Sequence, residues 1–318
     1  MMDIVCSTDN GYVMPTGVML TSLFENNKDA DITIHVLDGG LTKESKKDIE
    51  DIVYRYGKNI IFHDIDANLF KDFPMDEKYQ VSHIHSMATY YRLYLTKLLP
   101  ENISKVLYLD GDIIINDKLD DLWNTDVSKV AIAAAPDATN NQIVHYNQLR
   151  YPMSCGYFNA GVLLINMEYW REHNVLTDFL SLIRNHPERL ASHDQDILNY
   201  CFYDRKMFLP VKYNAMNYSF YKIMYSPLSW EFEDQILDSQ EHPAIIHYAA
   251  VPKPWHKDCL HPRKKDFEYY KSMTKWKNNK EKNYWHGKSL IRHALMRFAA
   301  LKGIIKVNKV PELIYVDN

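Results

Sequence analysis

Through the first two hundred residues, short apolar runs alternate with helical patterns, and this order constrains the fold more than any other feature. Strands are expected over Asp3–Ser7, Ile32–Leu37, Asn59–Ile65, Lys105–Leu109, Val130–Ala134 and Gly161–Asn166. Between the second and third lies Thr42–Tyr56, where Ile49, Ile52, Val53 and Tyr56 share a helical face and Gly57 is the natural stop. Strand–helix–strand order builds a mostly parallel sheet covered on both faces. The pattern alone therefore predicts a doubly wound α/β architecture of the nucleotide-binding kind. The loop after the first strand, Thr8-Asp9-Asn10-Gly11-Tyr12, is suited to hold a base.

Residues 106–115 read Val-Leu-Tyr-Leu-Asp-Gly-Asp-Ile-Ile-Ile, an apolar strand running into two carboxylates. Extended backbone has a period of two, so Asp110 and Asp112 converge on one point past the strand's carboxyl end. Gly111 leaves room for close approach to the backbone. Two hard oxygen donors suit Mg²⁺ or Mn²⁺, with phosphate oxygens and water completing the shell. Acids at a strand end are also ordinary turn formers, and the run by itself leaves both readings open.

At 318 residues the chain has room for one large α/β domain or two small ones. No stretch is long and apolar enough to span a bilayer. The first residues lack a basic region followed by an apolar core, so no signal peptide is expected. Cys6, Cys155, Cys201 and Cys259 are scattered without a paired spacing, against both a zinc site and a disulfide framework. A cytoplasmic setting follows. Net charge is −4, but residues 271–310 hold eleven Lys and Arg against the single acid Glu281, leaving −14 for the remainder. An acidic body with a basic end points to an anionic surface, not to nucleic acid.

Further blocks stand in order along the chain. They are Asp3–Tyr12, then Thr-Tyr-Tyr-Arg-Leu-Tyr-Leu at 89–95, Tyr-Phe-Asn-Ala-Gly-Val-Leu-Leu-Ile-Asn at 157–166, and Asp-Gln-Asp-Ile-Leu-Asn at 194–199. The last is Ile-His-Tyr-Ala-Ala-Val-Pro-Lys-Pro-Trp-His at 246–256. Together with the Asp-x-Asp these resemble the retaining glycosyltransferases of family 8, which include bacterial lipopolysaccharide galactosyl- and glucosyltransferases and the glycogenins. The resemblance spans residues 2 to 265. It implies a single GT-A-type catalytic domain over 1–265, followed by a basic, aromatic helical extension over 266–318.

By this resemblance Asp110, Asp112 and His247 are the metal ligands, for Mn²⁺ or Mg²⁺, and a UDP-sugar is the donor. Lys253, stiffened between Pro252 and Pro254, is a point charge for the leaving diphosphate. Asp9 and Tyr12 hold the nucleoside, the tyrosine by stacking, although Asn10-Gly11 departs from the family's usual loop. Arg92 reaches the sugar or diphosphate, and Asn159 and Asp194 reach the sugar. Gln195 lies near the reacting carbon, with Asp196 an adjacent structural or assisting carboxylate. These acids also sit at an expected helix start, where capping alone accounts for one of them. Trp255 supports the loop or touches the donor. Lys212–Asn214 matches a loop before the acceptor site.

An amide at 195 is a poor nucleophile, so a front-face route through an oxocarbenium-like state is expected over double displacement. The expected product is a hexosylated saccharide or lipid-linked saccharide in lipopolysaccharide or other surface glycan synthesis. Within Ser289–Lys302, Leu290, Ile291, Ala294, Leu295, Phe298 and Leu301 form an apolar stripe flanked by cations. That pattern suits peripheral binding of 271–306 to the inner face of an anionic membrane; a terminal helix packed on its own domain is the competing expectation. Two other readings compete for the whole chain. One is a phosphohydrolase of the haloacid dehalogenase type, whose aspartates should end the first strand of the sheet. The other is a catalytically silent nucleotide-sugar-binding module.

Overall fold

The computed structural model describes residues 1–71, 73, 87–137, 142–216, 232–287, 291 and 295. Its strands are β1 (Met2–Thr8), β2 (Ile32–Asp38), β3 (Asn59–Asp64), β4 (Lys105–Leu109), β5 (Ile113–Ile115), β6 (Ile132–Pro136), β7 (Phe158–Asn166), β8 (Lys206–Phe208), β9 (Ala215–Met216) and β10 (Ile245–His247). Seven form one sheet in the order β3-β2-β1-β4-β7-β6-β8, in which only β7 runs antiparallel to its neighbours. The other three form a small sheet, β5-β10-β9. Apolar clusters lie on both faces of the large sheet, as the apolar runs require.

The expected strands are present, with informative shifts at two ends. β7 begins at Phe158, three residues before its apolar run at Gly161, because a bulge carries its pairing with β6 on to Pro136 and Phe158. That extension places Asn159 on rigid backbone. The expected helix is α2 (Lys43–Arg55), preceded by α1 (Val13–Asn26). Thr42 caps α2 by accepting from the Ser45 N–H at 3.1 Å, its buried face is Ile49, Ile52 and Val53, and Gly57 follows at φ 65°.

Asp110-Gly111-Asp112 is the turn by which the chain leaves the large sheet for the small one. The Asp110 N–H still bonds the Gly161 carbonyl in β7 at 2.9 Å, whereas the Asp112 carbonyl accepts from Tyr248 just beyond β10 at 3.0 Å. The two acids therefore straddle the seam between sheets. β10 runs antiparallel to β5 with His247 opposite Ile113, which brings its imidazole to the same seam.

The helix Lys264–Ser272 crosses the expected domain boundary at 265 and packs on the catalytic body. Phe267 and Tyr270 join Val18, Ile114 and Tyr248 in one buried cluster. Trp276 lies across α1, where a Cβ on Gly17 would come within 2.4 Å of its ring. Lys275 pairs with Asp48 of the domain at 2.5 Å, whereas the buried Lys271 donates to the Asn279 carbonyl within the extension at 3.2 Å. The first part of the expected extension is thus structurally part of the domain. Of the expected Ser289–Lys302 helix, only Ile291 and Leu295 fall within the described residues, both in helical backbone. Truncating Trp276 to alanine should cost about 3 kcal/mol of stability in urea unfolding, the range for a buried aromatic. A change below about 0.5 kcal/mol, ordinary for a surface site, would mean the contact with α1 contributes nothing.

Candidate active site

At the seam, Asp110, Asp112 and His247 each present a ligand atom within 4.8 Å of the others. The carboxylate oxygens divide their labour. Asp110 Oδ1 accepts from Arg92 Nη2 at 2.8 Å, and Asp112 Oδ2 accepts from Lys253 Nζ at 2.6 Å. The remaining oxygens face the imidazole: His247 Nε2 lies 3.4 Å from Asp112 Oδ1 and 4.0 Å from Asp110 Oδ2. Two free carboxylate oxygens and a ring nitrogen around one point form a donor set suited to Mn²⁺ or Mg²⁺. Gly161 keeps the point clear, since a Cβ there would sit 2.3 Å from His247 Cε1 and 3.0 Å from Asp110 Oδ2. Burial alone would raise the Asp112 pKa, but Lys253 and His247 hold it well below the usual carboxylate range.

Arg92 does not reach outward to a diphosphate. It is buried, with its guanidinium carbon 4.0 Å from the centre of the Tyr108 ring, and it donates to the Ala160 carbonyl as well as to Asp110. Its Nε lies 3.0 Å from Asp194 Oδ2 while its hydrogen goes to the Thr89 carbonyl at 3.2 Å. Burial opposes the charge, yet Asp110 and Asp194 keep the guanidinium protonated above its ordinary range. The Thr89 hydroxyl donates to Asp194 Oδ1. Asp194 Oδ2 is buried and receives no hydrogen bond. Burial raises the Asp194 pKa despite Arg92.

The nucleoside loop is braced by its own residues. Asp9 Oδ1 accepts from the N–H groups of Gly11 and Tyr12 at 2.8 and 3.2 Å. Asn10 ties the loop to the chain after β2, donating to the Gly40 carbonyl and accepting from Thr42 and Ser45. The Asn10-Gly11 departure noted in the sequence is therefore an anchor. Tyr12 meets Trp255 edge to face at 5.5 Å, and burial followed by Asp112, Asp110 and Asp9 lifts its phenol well above the usual range. Trp255 supports this loop, and His256 does the same for the other, accepting from the Lys253 N–H at 3.0 Å.

Toward the reacting end, Asn159 and Gln195 both donate to Asp137 Oδ2, at 3.0 and 3.2 Å. Gln195 Oε1 in turn accepts from the Ala160 N–H at 2.9 Å and from Asn159 at 3.1 Å. Asp137 escaped the sequence reading, although it follows β6 at the same strand-end position that marked Asp110. Asn214, at the end of the loop expected before the acceptor site, is buried behind His247, with its Oδ1 2.9 Å from the ring Nδ1. Asp196 starts the same helix, His193–Phe202, but turns inward, accepting from the Tyr157 hydroxyl at 2.7 Å and the Ser192 N–H at 2.6 Å.

Comparison with known proteins agrees with this geometry. The family model for glycosyl transferase family 8 matches residues 3–259. The chain belongs to that family. It is 30% identical to general stress protein A of Bacillus subtilis over 279 residues, 86% of this chain and 94% of that protein. It is 24% identical to the lipopolysaccharide 1,3-galactosyltransferase of Salmonella typhimurium, covering 86% and 79% of the two chains. Among solved structures it is similar to galactosyltransferase LgtC in complex with donor and acceptor sugar analogues, with a TM-score of 0.74, 29% identity, and coverage of 86% and 96%. Family 8 membership makes the chain a glycosyltransferase with a GT-A-type fold and sets aside the phosphohydrolase reading. The sheet order agrees, because β4 is the fourth strand of the chain and not the first.

Burial pushes the Asp196 carboxyl up to about 7, against about 4 for a free aspartate. Between those values the native state holds a proton that the unfolded chain has lost. The residue therefore favours the fold fully below about pH 4, and that contribution disappears as pH rises through 7. Urea midpoints at pH 5 and pH 8 should differ less in Asp196→Asn than in wild type. Equal differences would show that this carboxyl does not titrate with folding.

Proposed function

We propose that the chain transfers a hexose, galactose or glucose, from a UDP-sugar to a saccharide acceptor with retention of configuration, in lipopolysaccharide or other surface glycan synthesis. One observation carries the reading: Arg92 and Lys253 hold the outer oxygens of Asp110 and Asp112 while the inner oxygens turn to His247. Asp110, Asp112 and His247 would hold Mn²⁺ or Mg²⁺. When bound, such an ion supplies positive charge for a leaving diphosphate without a proton transfer.

The chain's own residues have separable tasks in this reading. Asp9 and Tyr12 form the nucleoside loop. Lys253 has its ammonium on Asp112 and on the Tyr248 and Ala249 carbonyls, close enough to serve diphosphate oxygens at the same mouth. Asp194, paired with Arg92, accepts from donor-sugar hydroxyls, and Asn159 is the amide bonded to Gln195 and Asp137 at the reacting end. As the bond from the anomeric carbon to the phosphate oxygen breaks, the acceptor oxygen bonds to that carbon from the same face. Its proton passes to a leaving diphosphate oxygen. Gln195 favours this front-face route, because its carbonyl oxygen already accepts two hydrogen bonds from β7. Release of UDP from a panel of UDP-hexoses should depend on Mn²⁺ for one donor and fall about 100-fold or more in Asp112→Asn. No Mn²⁺-dependent release and no Mn²⁺-dependent UDP binding would overturn the proposal.

A peripheral site on the inner face of an anionic membrane, near a lipid-linked acceptor, fits the basic end. No helix among the described residues is long and apolar enough to cross a membrane. Ile291 and Leu295, four residues apart, are each 63% exposed and belong to the apolar stripe read from the sequence. The membrane-facing part in this reading is the segment after Gly287, where six of the eleven cations lie. Ending the chain after Gly287 should abolish sedimentation with phosphatidylglycerol vesicles and spare UDP-sugar hydrolysis. Unchanged sedimentation would place the membrane contact elsewhere or nowhere.

A further inference from the structure

The hydrogen bonds behind His247 have a fixed direction, and backbone groups set it. Asn159 Oδ1 accepts from the Gly161 N–H at 2.9 Å, so that atom is an acceptor and the other end of the amide is a donor. The donor end faces Asp137 Oδ2 at 3.0 Å, a carboxylate that can only accept when ionised. Turning the amide over would set N–H against N–H at Gly161 and oxygen against oxygen at Asp137. Asn214 meets the fixed Asn159 Oδ1 at 2.9 Å, so it must present its NH₂ group there. Its Oδ1 is then committed to His247 Nδ1 at 2.9 Å, and that ring nitrogen must carry the hydrogen. In the neutral imidazole, the form that binds a metal, this leaves the lone pair on Nε2, the nitrogen that faces Asp110 and Asp112.

We infer that Asn214 is the positioning residue that makes His247 a metal ligand, and that Asn159 couples it to the Asp137–Gln195 cluster at the reacting end. The inference rests on the metal site proposed above. Asn214 is fully buried, so no water competes for its bonds. Among the described residues, the ring is held by one polar side chain behind and faces acids in front. Residues behind metal-binding histidines commonly change metal affinity by 10- to 100-fold when altered. Asn159 is the shared element. Through one oxygen it answers to Asn214, and through its nitrogen to Asp137 and Gln195. A disturbance behind the metal ligand therefore reaches the amide of Gln195 through two hydrogen bonds.

Two substitutions separate the claims. Asn214→Leu keeps the volume but offers His247 no acceptor. Asn214→Asp keeps the acceptor for Nδ1–H but turns an anion toward Asn159 Oδ1. With UDP present, Mn²⁺ binding followed by the spin resonance of free Mn²⁺ should weaken at least tenfold in Asn214→Leu. In Asn214→Asp it should stay within threefold of wild type, while UDP-sugar hydrolysis slows at least tenfold in both. Thermal melts accompany each variant, and Asn214→Ala replaces the leucine variant if that one does not fold. Equal Mn²⁺ affinity in wild type and the leucine or alanine variant would overturn the positioning role, provided Asp112→Asn binds weakly in the same assay. Wild-type hydrolysis by Asn214→Asp would overturn the coupling through Asn159. If wild type itself binds no Mn²⁺, the metal site proposed above falls and this inference falls with it.

Discussion

One buried guanidinium allows the acids of this site to stand together. Asp110 and Asp194 converge on Arg92, and neither carboxylate is in bulk water. Burial and the Asp110 charge both push the Asp194 carboxyl toward protonation, which would weaken it as an acceptor. Arg92 opposes that shift from behind, against the face of Tyr108 and donating to the Ala160 carbonyl. Removing one partner from a buried pair generally costs about 3–5 kcal/mol, against about 1 kcal/mol for a helix cap such as Thr42. The arrangement also explains why Arg92 cannot be exchanged for lysine on charge alone. A planar fork meets two carboxylates and a carbonyl at once, and an ammonium presents no such fork.

The second constraint is geometric. Metal-ligand candidates come from a turn between two sheets and from the end of a strand in the smaller one, so small backbone errors there would separate them. Two glycines keep the packing tight. Sequence reasoning assigned the openness of Gly111 to an approaching ligand, but its nearest neighbour is α1: a Cβ would lie 2.7 Å from Thr16 Oγ1. At Gly161 the reasoning is reversed, because there a Cβ would strike His247 and Asp110 themselves. One glycine seats the turn on its helix, and the other leaves the ligands free to converge.

Local chemistry was legible in the sequence, and long-range pairing was not. Apolar runs located the strands, and Thr42 and Gly57 bounded α2; Asp110 and Asp112 do meet at one point, but through a turn between sheets and not through the period of two of extended backbone. Each of those signals lies within a few residues. Arg92 read as an outward-facing ligand because its partners, Asp110 and Asp194, are far along the chain, and no periodicity encodes that contact. The contact of Asn214 with His247 was hidden for the same reason: the short parallel pairing of β9 with β10 brings it behind the imidazole. The composition shift after residue 265 was real, yet it did not mark a structural boundary. Apart from the buried Lys271, the described cations of this segment lie on its outer side, while Phe267, Tyr270 and Trp276 face inward. Charge reports the solvent side of a helix, and the boundary depends on the other side.

The same distinction between local type and long-range pairing bears on the reaction. Read locally, Asp194-Gln195-Asp196 offers two carboxylates and an amide to a sugar. In the fold the three residues point to different partners. Asp196 turns inward to Tyr157 and the Ser192 N–H, and Gln195 gives its oxygen to β7. Asp194 alone retains an oxygen without a hydrogen bond, and that oxygen lies 3.0 Å from the guanidinium nitrogen of Arg92. A carboxylate so paired is well suited to accept from hydroxyl groups and poorly suited to attack carbon, because attack would withdraw negative charge from a buried cation. A double displacement would cost Asp196 or Gln195 a hydrogen bond, or Asp194 its pairing with Arg92. The front-face route proposed above asks none of them to move, because in it a leaving diphosphate oxygen takes the acceptor's proton.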